Sequence, residues 1–453
     1  MTGMEQWGCT NMNRFLNDEN GGITALNLQL FVASLILGGL AVDYGNAMAN
    51  RTHLQVAADS AAHAAILTRE LNGAEDAKAR AIELASASMP APSFGSVLSQ
   101  EDIMFGDWDR DAELFTADSN SRNAVLVSTK RHAANGNGVA TYLLGLAGLA
   151  NWDVTSGTVY ETYYPACFRE GFVAQDRVEV QSNSYYTNGF CIHSQSHVKL
   201  SSNNVFEPGV VISMPDTADV ELPASGFKTN SGAQEALRSG SYRLRILQRI
   251  DSILQGIEDP YHTDYGIMSS SATEYYRQYI SNAGVVRLNY RKDAEPGTFT
   301  ENAIHDVTCK KDKMNYSLNP GSELKNAVLF TNCRLQIKAG AVIENAVIFS
   351  NNAESTAVTG SAGVVIGRDD NCLPGGDVQI VSHGSVSFPS DASIFGSQII
   401  AAQDISLTAR ADGLEGVSLV AGGMIDVTSN GGYGFCGSGM ENSYEAAYFR
   451  LAK

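Results

Sequence analysis

The hydropathy pattern opens on one long apolar run. Residues 23–42, ITALNLQLFVASLILGGLAV, contain no Lys, Arg, Asp or Glu. About 20 such residues in a helix cross the ~30 Å hydrocarbon core of a bilayer. A transmembrane helix is therefore predicted from Ile23 to Val42. Asp43-Tyr44-Gly45 ends the run, yet Leu54, Ala57, Ala58, Ala61, Ala65 and Leu67 continue mostly at spacings of three and four, one face of a helix. The spacing predicts one rod from Ile23 to Leu71, about 73 Å long at 1.5 Å per residue. Its alanine-rich second half suits close packing of another helix. Gly73 ends the rod, and residues 75–88 read as a second helix closed by Pro90 and Pro92.

The period then changes to two. FGDWD (105–109), ELF (113–115) and NAVLV (123–127) read as strands joined by turns, and residues 154–163 as a further strand. VATYLLGLAGL (139–149) is half the length of a span and is predicted to be a helix packed on this small sheet. From Ala166 onward, short apolar strands alternate with Asn, Gly, Ser and Asp. LKNAVLFTN (324–332) recurs as IENAVIFSN (343–351), an offset of 19 residues. A period near 20 predicts a parallel β-helix, with Val, Ile and Leu stacked inside and Asn ladders at the corners. A Greek-key sandwich of similar strands is the alternative. Residues 232–294 interrupt the pattern with helical periodicity at Leu237, Leu244, Ile246, Leu247, Ile250 and Leu254, and residues 275–280 extend it. This reads as a helical excursion serving as a lid or partner surface. A short helix from Ser443 is expected to cap the open end of the solenoid.

The predicted fold is mixed: a long N-terminal transmembrane α-helix, a small α+β domain, and a C-terminal parallel β-helix with a helical insertion. The expected divisions are 1–22 (cytoplasmic, with Met12 an alternative start), 23–72 (long helix), 73–165 (α+β), 166–231 (β-helix, first part), 232–295 (insertion) and 296–453 (β-helix, second part, with its cap).

Composition narrows the function classes. The net charge is −18 and the pI near 4.8, with Lys and Arg scattered. Nucleic acid and anionic lipid surfaces are poor partners for such a chain. The cysteines are informative by position. Cys9 precedes the span and six follow it, which suits a reducing interior and a disulfide-permissive exterior. Cys167 and Cys191 are 24 residues apart, as are Cys309 and Cys333. That is about one solenoid coil, so the candidate disulfides are Cys167–Cys191, Cys309–Cys333 and, as the remaining pair, Cys372–Cys436. Charge barely orients the span, with Arg14 on one side and Arg51 on the other. The acidic, cysteine-bearing body points to the periplasm. A signal peptide cleaved after Ala47-Met48-Ala49 fits less well, because the run exceeds the usual h-region.

The order RFLNDENGGITAL, apolar helix, LAVDYGNAMANRTHLQVAADSAAHAAI, FGDWD, NAVLVSTKR resembles the TadG-like (TadE/TadG-like) proteins of Flp, or Tad, pilus assembly. The resemblance covers mainly residues 12–165 and is densest from Ala41 to Ala65. It implies a single-pass anchor in the bacterial inner membrane, a periplasmic body, and partners among pilin-like helices or other pilus-assembly membrane proteins. Processed pilins of similar pattern carry Glu at the fifth mature position. A leader ending at Gly21 or Gly22 would place Leu26 or Asn27 there. The span therefore reads as a permanent anchor in a structural component, the alternative being a membrane-anchored surface β-helix that binds or cleaves carbohydrate. No DxSxS metal motif is found, so the metal-dependent adhesion of some relatives is not transferred.

Four constellations bear on chemistry. Gly432-x-Gly434-x-x-Gly437 matches a dinucleotide fingerprint but has no βαβ frame and reads as a glycine-rich turn. Asp107, Asp109 and Asp111 open like a calcium loop, but Ala112 stands where its Gly belongs and Asp118 where its Glu belongs. Cys191, His193 and His197 share strand parity without an evident fourth zinc ligand. Asp369 and Asp370 beside Arg368 are the best candidate acids for carbohydrate cleavage. The expectation is no enzyme, no cofactor and no metal.

Overall fold

The computed structural model describes residues 20–258, 285–388, 391–407, 411–427 and 429–453. Cys9, Met12, Arg14 and residues 275–280 lie outside them. The chain forms two units: Met1–Tyr163 with Tyr448–Lys453, and Tyr164–Ala447.

The first unit is built on α1 (Asn20–Arg69), a helix of 50 residues. Its two halves differ in burial. Ile23, Leu30, Phe31 and Leu37 are exposed, whereas Leu54, Ala57, Ala58, Ala61 and Ala65 are fully covered. The small face lets α2 (Ala74–Ser88) pack closely through Ala77, Ala81 and Ala85. An antiparallel sheet covers the rest. It contains β1 (Ile103–Asp109), β2 (Leu114–Ala117), β3 (Ala124–Arg131) and β4 (Val154–Tyr163), in the order β2-β1-β3-β4. Val125 and Val127 of β3 enter the shared core, and Thr129 Oγ1 donates to the Leu54 carbonyl of α1 at 2.9 Å.

Two expectations fail in this unit. Residues 139–149 are not a helix. Val139–Ala140 pairs with Asn151–Trp152, and only a 3₁₀ turn, Leu144–Ala147, lies between. The N–H groups of residues 142–144 are captured by Asp43, and Gly148 closes the turn at φ +91°. The chain also does not end in a solenoid cap. Tyr448–Leu451 is a strand that completes the sheet of the first unit, pairing Tyr448 with Tyr163 and Leu451 with Tyr160. An alternating YFRL segment meets the free backbone edge of β4, and that edge satisfies its N–H and C=O groups as a helix of four residues would not. Arg450 Nε reaches the buried Glu161 carboxylate at 2.5 Å, and its guanidinium lies 4.5 Å from the Tyr163 ring centre.

The second unit is a parallel β-solenoid of about 11 turns. One inward row runs through its larger sheet: Val286, His305, Leu329, Ile348, Ile380, Ile399, Leu419, Phe172, Ile192, Ile212, Leu237. Spatial order along this row is not chain order. The chain enters mid-stack at Gly171–Ala174 and winds outward to Leu237–Ser239. It resumes at the opposite end with Val285–Leu288 and winds back until Ala411–Ala421 pairs with Gly171–Ala174. The solenoid is thus a circularly permuted stack with its entry and exit side by side in the middle. Tyr433 of the last coil stacks on Tyr186 of the first at 4.6 Å, and Tyr186 on Phe206 of the next at 4.9 Å.

The Asn ladders form as expected. Asn345 Nδ2 donates to Asn326 Oδ1 at 3.0 Å, joining the two copies of the sequence repeat. A second ladder, Asn203–Asn183–Asn430, crosses the permuted junction with 3.2 Å contacts. All five asparagines have positive φ, which Asn tolerates better than most residues. The interruption after residue 232 is only partly helical: Ala233–Ala236, a 3₁₀ stretch Arg245–Arg249 and the helix Ile250–Glu258. Its apolar residues Leu244, Ile246, Ile250 and Ile253 are buried. The outward row of the large sheet, Phe349, Val381, Ile400, Val420 and Val173, is buried too. Tyr242 contacts the His193 ring at 4.9 Å and Asp251 reaches His383 at 3.0 Å, so this strap lies along that outer face.

Candidate functional site

The first candidate surface is the exposed half of α1. It is the one helix among the described residues long and apolar enough to cross a membrane. Leu37 is 69% exposed and Ile23 69%, which is costly in water and favourable in hydrocarbon. Immediately past this stretch, Asp43 is 2% exposed. Its Oδ1 accepts the N–H of Tyr142 (2.6 Å), and its Oδ2 those of Leu143 (3.1 Å) and Leu144 (2.7 Å). Burial pushes this carboxyl up, but the three N–H donors outweigh it and hold it below the usual carboxylate range. The Val-Asp-Tyr block therefore clamps the 3₁₀ turn to α1 where the apolar run ends.

The second candidate is the solenoid. All three expected disulfides are present: Cys167–Cys191, Cys309–Cys333 and Cys372–Cys436. On the smaller sheet, Gln336, Thr359, Ser387, Ser406 and Asp426 stack outward in register and are partly exposed. The row continues through Glu179 and Lys199, whose Nζ lies 2.6 Å from Glu179 Oε1, and it carries no aromatic residue.

Beside the glycine-rich segment that follows Cys436 lies a cavity of about 380 Å³, lined by Arg169, Glu170, Gly437, Ser438, Met440, Glu441, Ser443 and Glu445. Glu170 is buried and accepts the N–H groups of Cys436 (2.6 Å) and Gly437. Burial raises its carboxyl above the ordinary range, and the two backbone donors offset this only partly. Arg169 Nε lies 2.8 Å from Glu445 Oε1. No sequence motif marks these acids, since residues 169 and 170 lie about 270 positions from their neighbours. The one signal is Cys436, whose bridge to Cys372 fixes the glycine-rich segment.

The four constellations do other work. Gly431–Gly434 is a strand that inserts Tyr433 into the core. Asp109 Oδ1 accepts the N–H groups of Asp111 (2.9 Å) and Ala112 (3.0 Å), shaping a turn, while Asp107 holds Ser121 and Asn123. Cys191 is disulfide-bonded, His193 is buried under Tyr242, and His197 sits on the other sheet beside Glu221 at 3.3 Å, so the structure does not bring these three together. Asp370 pairs with Arg368 at 2.8 Å and accepts the Leu373 N–H at 3.0 Å, again shaping a turn.

A family model described as a domain of unknown function (DUF7867) matches residues 171–437. The chain belongs to the DUF7867 family. The match begins on the first solenoid strand and ends at the glycine-rich segment, so the DUF7867 region takes in both arms of the permuted stack and the strap. A second model, TadE/G-like Flp pilus-assembly, matches residues 21–81, covering α1 and the start of α2. The N-terminal resemblance seen in the sequence is thus to a TadE/G-like segment joined to a DUF7867 solenoid. No curated protein and no solved structure matches the chain.

Proposed function

We propose that this protein is a membrane-anchored structural component of Flp (Tad) pilus assembly or attachment, without enzymatic activity. It would hold the inner membrane by a single span, residues 23–42, with the rest of the chain periplasmic. The observation that carries this reading is the exposed apolar half of α1 within a segment matching TadE/G-like pilus-assembly proteins. The three disulfides support an oxidising compartment for the body. The solenoid acts as a rigid spacer or platform for pilin-like helices or other assembly proteins.

The strip on the smaller sheet has no aromatic residue, and its adjacent acids Asp426 and Glu179 are met by Lys199 and Arg177 at Glu179, which favours this scaffold over the carbohydrate-binding or carbohydrate-cleaving alternative. The test is deletion of the gene followed by electron microscopy of pili and a surface-attachment assay. Loss of pili, restored by the wild-type gene and not by a copy carrying Leu30→Arg and Leu37→Arg, is expected. Normal pili with altered glycan turnover would overturn the proposal.

A further inference from the structure

The cavity beside the glycine-rich segment after Cys436 has no role in anchoring or spacing, yet its lining is chemically one-sided. Three carboxylates, Glu170, Glu441 and Glu445, stand against one guanidinium, Arg169. The Arg169–Glu445 contact at 2.8 Å neutralises one of them internally. Glu170 is held by the backbone of Cys436 and Gly437, and Glu441 Oε1 accepts the Gly439 N–H at 3.0 Å. These bonds fix the two remaining carboxylates without supplying a countercharge.

A second observation points to a ligand. Ser443 lines the same cavity and is only 8% exposed, and its Oγ is buried without a hydrogen-bond partner among the described residues. Buried hydroxyls are nearly always bonded, so an unsatisfied one beside a cavity calls for a group that completes it. The missing group should be a hydrogen-bond donor, because the charged side chains that line the cavity with Ser443 are three carboxylates and the already paired Arg169. It should carry positive charge, because two lining carboxylates have no lining cation of their own. It is better carried on carbon than as a bare metal ion: among the described residues no three acidic, Cys or His side chains are placed to share a metal. Met440 adds an apolar wall for a methylene stem.

We propose that this cavity binds an alkylammonium group, carried either by a free amine or by a lysine side chain of a protein partner. The ammonium donates one N–H to Ser443 Oγ and others toward Glu170 and Glu441, while its stem lies on Met440. Burial raises the Glu170 carboxyl, so the incoming cation also stabilises the ionised form of that group. Binding therefore strengthens as pH rises through the Glu170 titration.

The test is isothermal titration calorimetry on the full chain in detergent micelles. The probes are n-butylamine, Nα-acetyl-lysine amide, and n-butanol as the uncharged control. At least one amine should bind saturably while n-butanol does not. Glu441→Gln and Ser443→Ala should each weaken that binding by roughly tenfold, the scale of one charge-assisted hydrogen bond. Glu441 is exposed, so its conservative variant leaves folding intact, and non-reducing peptide mapping of Cys372–Cys436 verifies this for both variants. Butylamine alone binding assigns a free amine, and the lysine amide binding more tightly assigns a lysine side chain. Equal binding of butanol and butylamine, no binding of either amine, or unchanged affinity in both variants would overturn the proposal.

Discussion

Asp43 and Leu144 are 101 residues apart in sequence, yet the Asp43 Oδ2 accepts the Leu144 N–H at 2.7 Å. With Tyr142 and Leu143, this makes one side chain the acceptor for three consecutive backbone donors. Asn at position 43 keeps the shape but offers one neutral oxygen. Asp43→Asn should therefore loosen residues 139–152, read as several-fold faster cleavage there in limited proteolysis at pH 7. The pH dependence has a definite sign. The folded carboxyl lies below its unfolded value of 3.8, so the stabilisation is full above that value and is lost as pH falls through the folded one. The wild type should converge on the Asn variant only in strong acid.

Tyr433 joins the last coil to the first. It stacks on Tyr186 at 4.6 Å and meets Phe172 edge-on at 5.2 Å, all within the solenoid core. Tyr433→Ala leaves a cavity at the junction and should cost about 3–5 kcal/mol. Tyr433→Leu refills part of that volume and should cost less. Urea denaturation of the full chain in micelles measures both. An equal loss for the two variants would argue against packing at the junction as the cause.

The bridge between Cys372 and Cys436 closes a span of 64 residues. A loop of that size contributes about 4 kcal/mol through restriction of the unfolded chain. The paired variant Cys372→Ser with Cys436→Ser should lower the denaturation midpoint accordingly. It should do so more than removal of Cys167–Cys191, whose loop is 24 residues. The reverse ranking would show that native-state geometry outweighs chain entropy here.

What the sequence discloses, and what it withholds, follows from how each feature is encoded. The long helix, the coil period and the cysteine pairs are local or periodic, so they are legible in single segments such as LKNAVLFTN and IENAVIFSN. The permuted order is not. Leu419 faces Phe172 in the same register as Ile399 faces Leu419, so every coil presents an equivalent row and no residue states which neighbour it takes. Tyr448–Leu451 resembles a terminal cap for a related reason: its partner edge lies about 285 residues upstream. The Val-Asp-Tyr block is visible as a motif, but what Asp43 holds is not, because its donors are backbone groups, which leave no side-chain signature. Glu170 lies just before an apolar strand, and nothing nearby shows that Cys436 and Gly437 will meet it.

His193 supplies a prediction that reads the strap directly. It is fully buried, its Nδ1 lies 2.7 Å from Ser213 Oγ, and its ring meets Tyr242 of the strap edge-on at 4.9 Å. No charged group partners it in these contacts, and burial depresses its pKa from 6.5 to about 4. The folded state therefore holds the neutral ring, while the unfolded chain takes up a proton between these two values. Stability should be complete above pH 6.5 and should fall as pH drops toward 4. The total loss is about 3 kcal/mol, since each tenfold change in proton affinity is worth about 1.4 kcal/mol. His193→Gln keeps a polar partner for Ser213 but cannot titrate, so its stability should vary across that window only through the carboxylates and the buried His305 common to both proteins. Urea midpoints measured from pH 7 to pH 4 separate the two, and parallel curves would show that His193 does not couple folding to pH.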